Sequence, residues 1–221
     1  MFKKVLVAED FDGYNIAVAE ALKALEITNT DHAPWCDEAL LKMVRALEDG
    51  NAFDLLVSDL SFKPDHRTAK LTGGEELIAA ARELQPDIKI LVYSIEDRPH
   101  PLQYLFNELN IDGYVLKGRN NIPEIRKAIT AIAIGEQYIS PQISHVLQDR
   151  TLHEIEEYDR ELMKMLSEGV SQAEISLLLQ NRGINPNSVS SIEKRINRLK
   201  ITLRANNNVH LIVIAKDLGL V

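Results

Sequence analysis

The chain has 221 residues, 45% of them hydrophobic and 26% charged, and a formal net charge of −8. These values exclude wholesale disorder, and the length allows one large domain or two small ones. A single cysteine, Cys36, excludes an internal disulfide framework or a cysteine-built zinc site, and the average charge disfavours a polyanionic partner.

That average hides a split. Residues 1–135 carry a net −7, residues 136–156 a net −3 and residues 157–221 a net +2. Within the last part, 182–204 holds six basic residues against Glu193 alone, a net +5. No apolar run reaches the roughly 18 residues of a membrane span, and Glu9-Asp10 comes too early for a signal peptide. The expectation is a soluble, cytoplasmic protein with no membrane partner.

Four short runs rich in Val, Ile and Leu recur, at 4–8, 53–57, 88–93 and 113–116. They lack period-2 alternation, which suits strands buried on both faces of a parallel sheet. Helix-period segments lie between and after them, at 15–25, 37–47, 75–84, 102–109 and 122–134. In the first, Ile16, Ala19, Leu22 and Leu25 make the expected buried stripe. A weaker strand at 27–32 completes five β/α units, and the expected fold is an open α/β sheet with helices on both faces.

Each core strand runs into a polar group: Glu9-Asp10, Ser58-Asp59, Ser94 and Lys117. Doubly wound sheets bind ligands at the carboxyl ends of their strands. Three carboxylates, a hydroxyl and an ammonium therefore converge from four separate segments. Clustered carboxylates repel unless a cation sits among them, and a few oxygen ligands suit Mg²⁺. Lys117 can balance a phosphoryl charge, Ser94 can hydrogen-bond a phosphoryl oxygen, and a carboxylate can act as the nucleophile that takes the group.

With those residues in place, the first 135 positions resemble the receiver domain of two-component response regulators. The matching residues are Glu9-Asp10, Asp59 in Val57-Ser58-Asp59-Leu60, Ser94 in Val92-Tyr93-Ser94, and Lys117 in Tyr114-Val115-Leu116-Lys117-Gly118. The resemblance implies a flavodoxin-like, doubly wound, five-stranded parallel sheet of order 2-1-3-4-5. It makes Asp59 the phosphoacceptor, served by Ser94 and Lys117. It implies one Mg²⁺ ion held by Glu9, Asp10, Asp59 and the Ser61 backbone carbonyl, and it places Ser94 and Tyr114 at the switch positions. One departure is the loop after Asp59. It runs through a polar stretch at 65–72 before Gly73-Gly74 opens the next helix, several residues longer than the family's usual turn.

Gly135 and Pro141 punctuate a boundary, so 136–156 reads as a linker with a polar, helical connector at 142–156. From Tyr158 the pattern becomes four short helices. Leu162, Met165 and Leu166 stripe the first, which Gly169 ends. Ser171 with Glu174 forms a capping box for the second, with Ile175, Leu178 and Leu179 as its apolar positions. Asn185-Pro186 reads as the N-cap and first residue of the third. That helix carries Val189, Ile192, Ile196 and Leu199 as a buried stripe, with Ser190, Lys194 and Arg198 opposite and Ser191 and Arg195 flanking them. A fourth helix at about 209–218 stops at Gly219.

A small all-α, four-helix unit with a polar, basic helix after a turn reads as a helix-turn-helix. Over 157–221 it resembles the LuxR-type DNA-binding domain of the NarL/FixJ class. The residues that carry this are Glu168-Gly169-Val170-Ser171, Ala173-Glu174-Ile175, Ile184-Asn185, Ser188-Val189, Ile196, Asn208-Val209, Ala215 and Gly219-Leu220. The turn at 180–183 is about three residues longer than the family's, and Ile192 stands where many relatives place His. The resemblance implies that Ser190, Ser191 and Lys194 face base edges, and that Arg195, Arg198 and Lys200 meet phosphates.

Together the two resemblances imply a response regulator that is phosphorylated by a sensor histidine kinase. It would bind double-stranded DNA sequence-specifically, as a homodimer when phosphorylated, and regulate transcription. It would not be an enzyme beyond self-catalysed phosphorylation and dephosphorylation. One alternative is a phosphorylation-independent DNA-binding regulator with a degenerate receiver. Another is an aspartyl-phosphate phosphatase; against it, Ser61 stands where haloacid-dehalogenase-type enzymes carry a second Asp.

Overall fold

The computed structural model describes residues 1–63, 69–148 and 154–221. The centre of the long loop after Asp59, residues 64–68, and residues 149–153 of the expected connector lie outside the described residues. The chain forms two compact units, one of residues 1–97 and 102–145, the other of 98–101 and 146–221.

The first unit is a parallel sheet of six strands: β1 (Val5–Ala8), β2 (Thr30–Ala33), β3 (Leu55–Ser58), β4 (Lys89–Ser94), β5 (Gly113–Leu116) and β6 (Tyr138–Ile139). Their spatial order is β2-β1-β3-β4-β5-β6. The expected order of five holds, and a short sixth strand is added beside β5. Tyr138 and Ile139 were expected to belong to the linker. Two residues are too few to leave a strand pattern in the sequence, and they pair because β5 leaves a free edge beside them.

Five helices connect the strands: α1 (Asp12–Ala24), α2 (Cys36–Glu48), α3 (Gly74–Leu84), α4 (Pro99–Asn107) and α5 (Asn121–Ala133). Strand side chains alternate between two covered faces, so the strands are apolar throughout. On one face Val5, Val7, Leu55, Val57, Leu91, Tyr93 and Val115 pack with Val18, Ala21 and Leu22 of α1 and with Ile125, Ala128, Ile129 and Ile132 of α5. The buried side of α1 is therefore Ala17, Val18, Ala21 and Leu22, and the expected stripe is corrected. Ile16 is 57% exposed and Ala19 also faces solvent. Small alanines let the helix approach the sheet, and helical spacing alone could not tell them from the larger residues beside them.

Register places the chemistry. Ala8 pairs with Ser58, Ser58 with Val92, and Ser94 with Leu116. Glu9, Asp59 and Lys117 thus each leave the sheet one residue past a strand, on the same edge as Ser94.

The second unit holds α6 (Glu157–Ser167), α7 (Gln172–Asn181), α8 (Val189–Thr202) and α9 (Asn208–Asp217). Leu162, Met163, Ile175, Leu179, Ile192, Ile196, Leu199, Leu211 and Ala215 form its core. The capping box at α7 is present: Glu174 N–H donates to Ser171 Oγ and Ser171 N–H to Glu174 Oε2, at 2.9 Å for the latter. The start of α8 differs from expectation. Ser188, not Asn185, is its N-cap and accepts from Ser191 N–H at 3.2 Å. Asn185-Pro186 belongs to the turn, so Val189 becomes the first helical residue and is 45% exposed rather than buried. Leu178 on α7 is likewise 44% exposed. Before α6, the described part of the expected connector includes a 3₁₀ helix, Pro141–Gln148.

Arg195 has a place in this unit that the sequence pattern did not give. Its guanidinium forks onto both oxygens of the buried Asp159, with Nη2 to Oδ2 at 2.8 Å, and it reaches Glu156 Oε2 at 2.9 Å. Asp159 also accepts from Glu156 N–H at 2.9 Å, which ties the start of α6 to the middle of α8. Bidentate pairs of this kind fix geometry as well as charge. Arg195→Ala would strand a carboxylate that is 1% exposed. The expected result is a loss of about 3 kcal/mol in the stability of this unit, read by chemical denaturation, with Arg195→Lys recovering only part of it.

Candidate functional site

The carboxyl edge of the sheet gathers the four polar segments at one place. Carboxylate oxygens of Glu9, Asp10 and Asp59 all lie within 4.8 Å of one another. Glu9 and Asp59 are 2% and 6% exposed, and Asp10 is half-buried. Lys117 Nζ stands between two of them, 2.8 Å from Glu9 Oε2 and 2.7 Å from Asp59 Oδ2. One ammonium thus pairs with two members of a cluster of three carboxylates. Burial holds the Glu9 carboxyl above its ordinary range, against the opposing pull of Lys117. Charge so arranged is relieved by a further cation.

The donor set is all oxygen, partly buried and open at Asp10, which fits a small hard divalent ion. Each carboxylate is held by the backbone as well. Glu9 Oε1 accepts from Phe11 N–H at 3.1 Å, Asp59 Oδ1 from Leu60 N–H at 2.6 Å, and Asp10 Oδ2 from Lys63 N–H at 3.0 Å. The last bond joins the first part of the long loop directly to the acidic cluster. The far part is tied down too, with Lys70 and Leu71 N–H on Asp37 at 2.9 and 3.0 Å and Thr72 N–H on Glu76 at 2.6 Å. Ser61 is exposed at the start of this loop.

Ser94 and Tyr114 are both fully buried. Ser94 Oγ has no hydrogen-bond partner among the described residues, a polar atom kept dry beside the acidic cluster's strands. The Tyr114 hydroxyl points inward and donates to the Glu96 carbonyl at 2.6 Å. Burial, reinforced by Glu96, pushes that hydroxyl up, so it stays a neutral donor.

Three features of the site escaped the sequence reading. Tyr14 and Tyr93 flank Lys117, with its Nζ 4.1 and 5.2 Å from their ring centroids. Ser140, fully buried, accepts from Leu116 N–H at 2.9 Å and donates to Glu124, and its own N–H donates to the Tyr114 carbonyl at 3.0 Å. The segment after α5 is thereby stitched to the strand that delivers Lys117. Tyr14 lies four residues past Asp10 and Tyr93 directly precedes Ser94, but nothing in their spacing set them apart from core residues.

On the second unit, Ser190, Lys194 and Arg198 stand exposed along one side of α8. Ser191 is half-buried and shares a hydrogen bond with the cap, Oγ to Ser188 Oγ at 2.8 Å. Lys200 is half-buried. Arg195, expected to meet phosphates, is instead bonded to Asp159 and Glu156 with its side chain 19% exposed, a partnership that helical spacing does not reveal. Asn197, which the sequence reading did not single out, is exposed beside Lys194 and Arg198.

Comparison with known proteins follows the same lines. No protein-family model matches the chain. It is 30% identical over 145 residues to the response regulator GacA of Pseudomonas aeruginosa, covering 65% of this chain and 61% of that one. It is 28% identical over 145 residues to GacA of Pseudomonas syringae pv. syringae, with the same coverage. Over those 145 residues the chain is similar in sequence to these response regulators. It spans about three-fifths of the length of these curated relatives. In fold it is similar to the response regulator RcsB of Salmonella typhimurium, with a TM-score of 0.69 at 21% identity, over 97% of this chain and 99% of that one. A structure of the two-component response regulator RcsB with DNA gives 0.66 at 21% identity, over 97% and 98%. The isolated receiver domain of Salmonella enterica serovar Typhimurium RcsB, solved with the phosphomimetic BeF₃⁻, gives 0.53 at 24%, over 66% and 98%. A parallel α/β unit followed by a helical unit is thus the fold shared with these structures.

The close approach of α3 to the site supplies a test. A β-carbon on Gly74 would lie 1.9 Å from the Asp59 carbonyl oxygen and 2.7 Å from Leu60 Cα, so the backbone that aims Asp59 would have to move. Gly74→Ala should destabilise the first unit by about 1–3 kcal/mol. It should also weaken the cluster's hold on a divalent cation, read by calorimetric titration with Mg²⁺, whereas Gly50→Ala, with nothing within 4 Å of its β-carbon, should leave that titration unchanged.

Proposed function

We propose that this chain is a phosphorylation-controlled transcription regulator. Asp59 takes a phosphoryl group from the phosphohistidine of a sensor kinase, and the second unit binds double-stranded DNA. The observation that carries the reading is the buried Asp59 carboxylate, held between Lys117 and the carboxylates of Glu9 and Asp10 at the edge of a parallel sheet. The clustering of Glu9, Asp10, Asp59 and Lys117 favours this reading over the degenerate-receiver alternative, which the long loop after Asp59 motivates.

In the step itself, an Asp59 carboxylate oxygen attacks phosphorus. The phosphorus–nitrogen bond to the donor histidine breaks, and the imidazole keeps that electron pair and takes a proton. Lys117 is positioned to neutralise the arriving phosphoryl oxygens, and Ser94 Oγ, unpartnered beforehand, is available to donate to one of them. Glu9, Asp10 and Asp59, with the Ser61 carbonyl, would hold Mg²⁺; when bound, it supplies further charge neutralisation to the same oxygens. Recruitment of Ser94 would draw Tyr114 from its bond to the Glu96 carbonyl, changing the face formed by α4, β5 and α5. We infer that the phosphorylated form dimerises, so that two α8 helices meet two DNA half-sites. Its only catalysis would be on its own Asp59, and its location the cytoplasm. Among the described residues no helix is long and apolar enough to cross a membrane.

The acidic average charge is compatible with DNA binding because residues 182–204 carry a local net charge of +5 while residues 1–135 carry −7. In this reading Ser190, Lys194 and Asn197 would read base edges and Arg198 and Lys200 would meet phosphates, while the bonds of Arg195 to Asp159 and Glu156 support a structural role for it instead. Incubation with acetyl phosphate and Mg²⁺ should add one phosphoryl group to the wild type and none to Asp59→Asn, by intact mass. A folded wild type left unmodified by both acetyl phosphate and a kinase would refute the phosphoacceptor role. With DNA selected from genomic fragments, Lys194→Ala should lose discrimination between sequences. Arg198→Ala should weaken all sequences alike and lower the salt dependence of binding by about one counterion. Wild-type affinity and specificity in both variants would remove α8 as the reading helix.

A further inference from the structure

Lys117 is boxed as well as paired. Its side chain is 3% exposed, and two carboxylates contact its ammonium. Two rings stand against the same ammonium, Tyr14 at 4.1 Å and Tyr93 at 5.2 Å from Nζ to the centroids. The rings meet edge to face, 5.7 Å apart at 87°, so they brace one another. Phe11, 5.3 Å from Tyr14, continues the row outward, and it is 51% exposed. Tyr93 is 1% exposed, and its hydroxyl has no hydrogen-bond partner among the described residues.

A lysine side chain has four rotatable bonds and a strongly hydrated head, so carboxylates alone leave its position dependent on their charge. That charge changes during phosphoryl transfer, when one Asp59 oxygen becomes bonded to phosphorus. A ring face attracts a cation through its quadrupole and carries no charge of its own, so its hold is unaffected when Asp59 reacts. The rings stand against an ammonium whose side chain is only 3% exposed. We propose that Tyr14 and Tyr93 are positioning residues for phosphoryl transfer to Asp59, keeping Lys117 aimed at the incoming phosphoryl oxygens while its partner carboxylate is converted. The role rests on the phosphoacceptor reading above, but the box can be tested without it.

The test uses the full chain with isotope-labelled lysine. Facing a ring, the Lys117 ε-methylene protons should resonate upfield of the other lysines, the signal being assigned by its loss in Lys117→Arg. Tyr14→Phe should keep the shift and most of the rate of phosphorylation by acetyl phosphate. Tyr14→Leu, matched for folding by circular dichroism and melting, should lose much of the shift. Its maximal rate should fall about tenfold, the scale of one desolvated cation–π contact, at an unchanged half-saturating concentration of acetyl phosphate. A wild type without the upfield shift would overturn the box whether or not Asp59 is phosphorylated. A wild-type rate in Tyr14→Leu, or Tyr14→Phe as slow as Tyr14→Leu, would overturn the positioning role. If Tyr14→Leu does not fold, Tyr14→Met serves the same comparison. A wild type that shows the shift but accepts no phosphoryl group would overturn the phosphoacceptor reading, and the role with it, while the box stands.

Discussion

The ion pairs of Lys117 with Glu9 and Asp59 are the constraint around which the first unit is arranged. An ammonium and two carboxylates this deeply buried are stable only in one another's company. Each comes from the end of a different strand, so the pairs exist only when β1, β3 and β5 end on the same edge in register. The central strands serve this by being apolar on both faces, which leaves polar groups no place except the strand ends.

Around that centre, the supporting contacts hold the backbone more than the charges. Gly74 lets α3 lie against the Asp59 carbonyl, and Lys63 N–H reaches Asp10 from the long loop. Ser140 binds the β5 backbone at Leu116 and, through its own N–H, at Tyr114. β6 and Ser140 are therefore bonded to the strand that carries both Lys117 and Tyr114.

The second unit solves a different problem with a similar device. Its helices bury aliphatic residues, and a single guanidinium–carboxylate fork, Arg195 on Asp159, sets α8 against the start of α6. Charge is used there to fix geometry, leaving Ser190, Lys194 and Arg198 on the open side of the helix. The net positive charge of 182–204 thus counts one arginine that faces inward, and the outward excess is smaller than the sequence total.

The sequence alone determined the strand ends and hence Glu9, Asp10, Asp59, Ser94 and Lys117, because apolar strands cut short by polar residues are a local signal. It also determined the exposed side of α8 and the capping box at Ser171, which depend on helical spacing. Contacts between distant segments were decided only by tertiary structure. Tyr14, Tyr93 and Ser140 read as ordinary core or linker residues until the fold set them beside β5 and Lys117. Arg195 looked like Lys194 and Arg198 until Asp159 was brought opposite it. Ile16 and Val189 looked buried because periodicity gives the spacing of a face, while which of several nearby faces turns inward is settled by what packs against the helix.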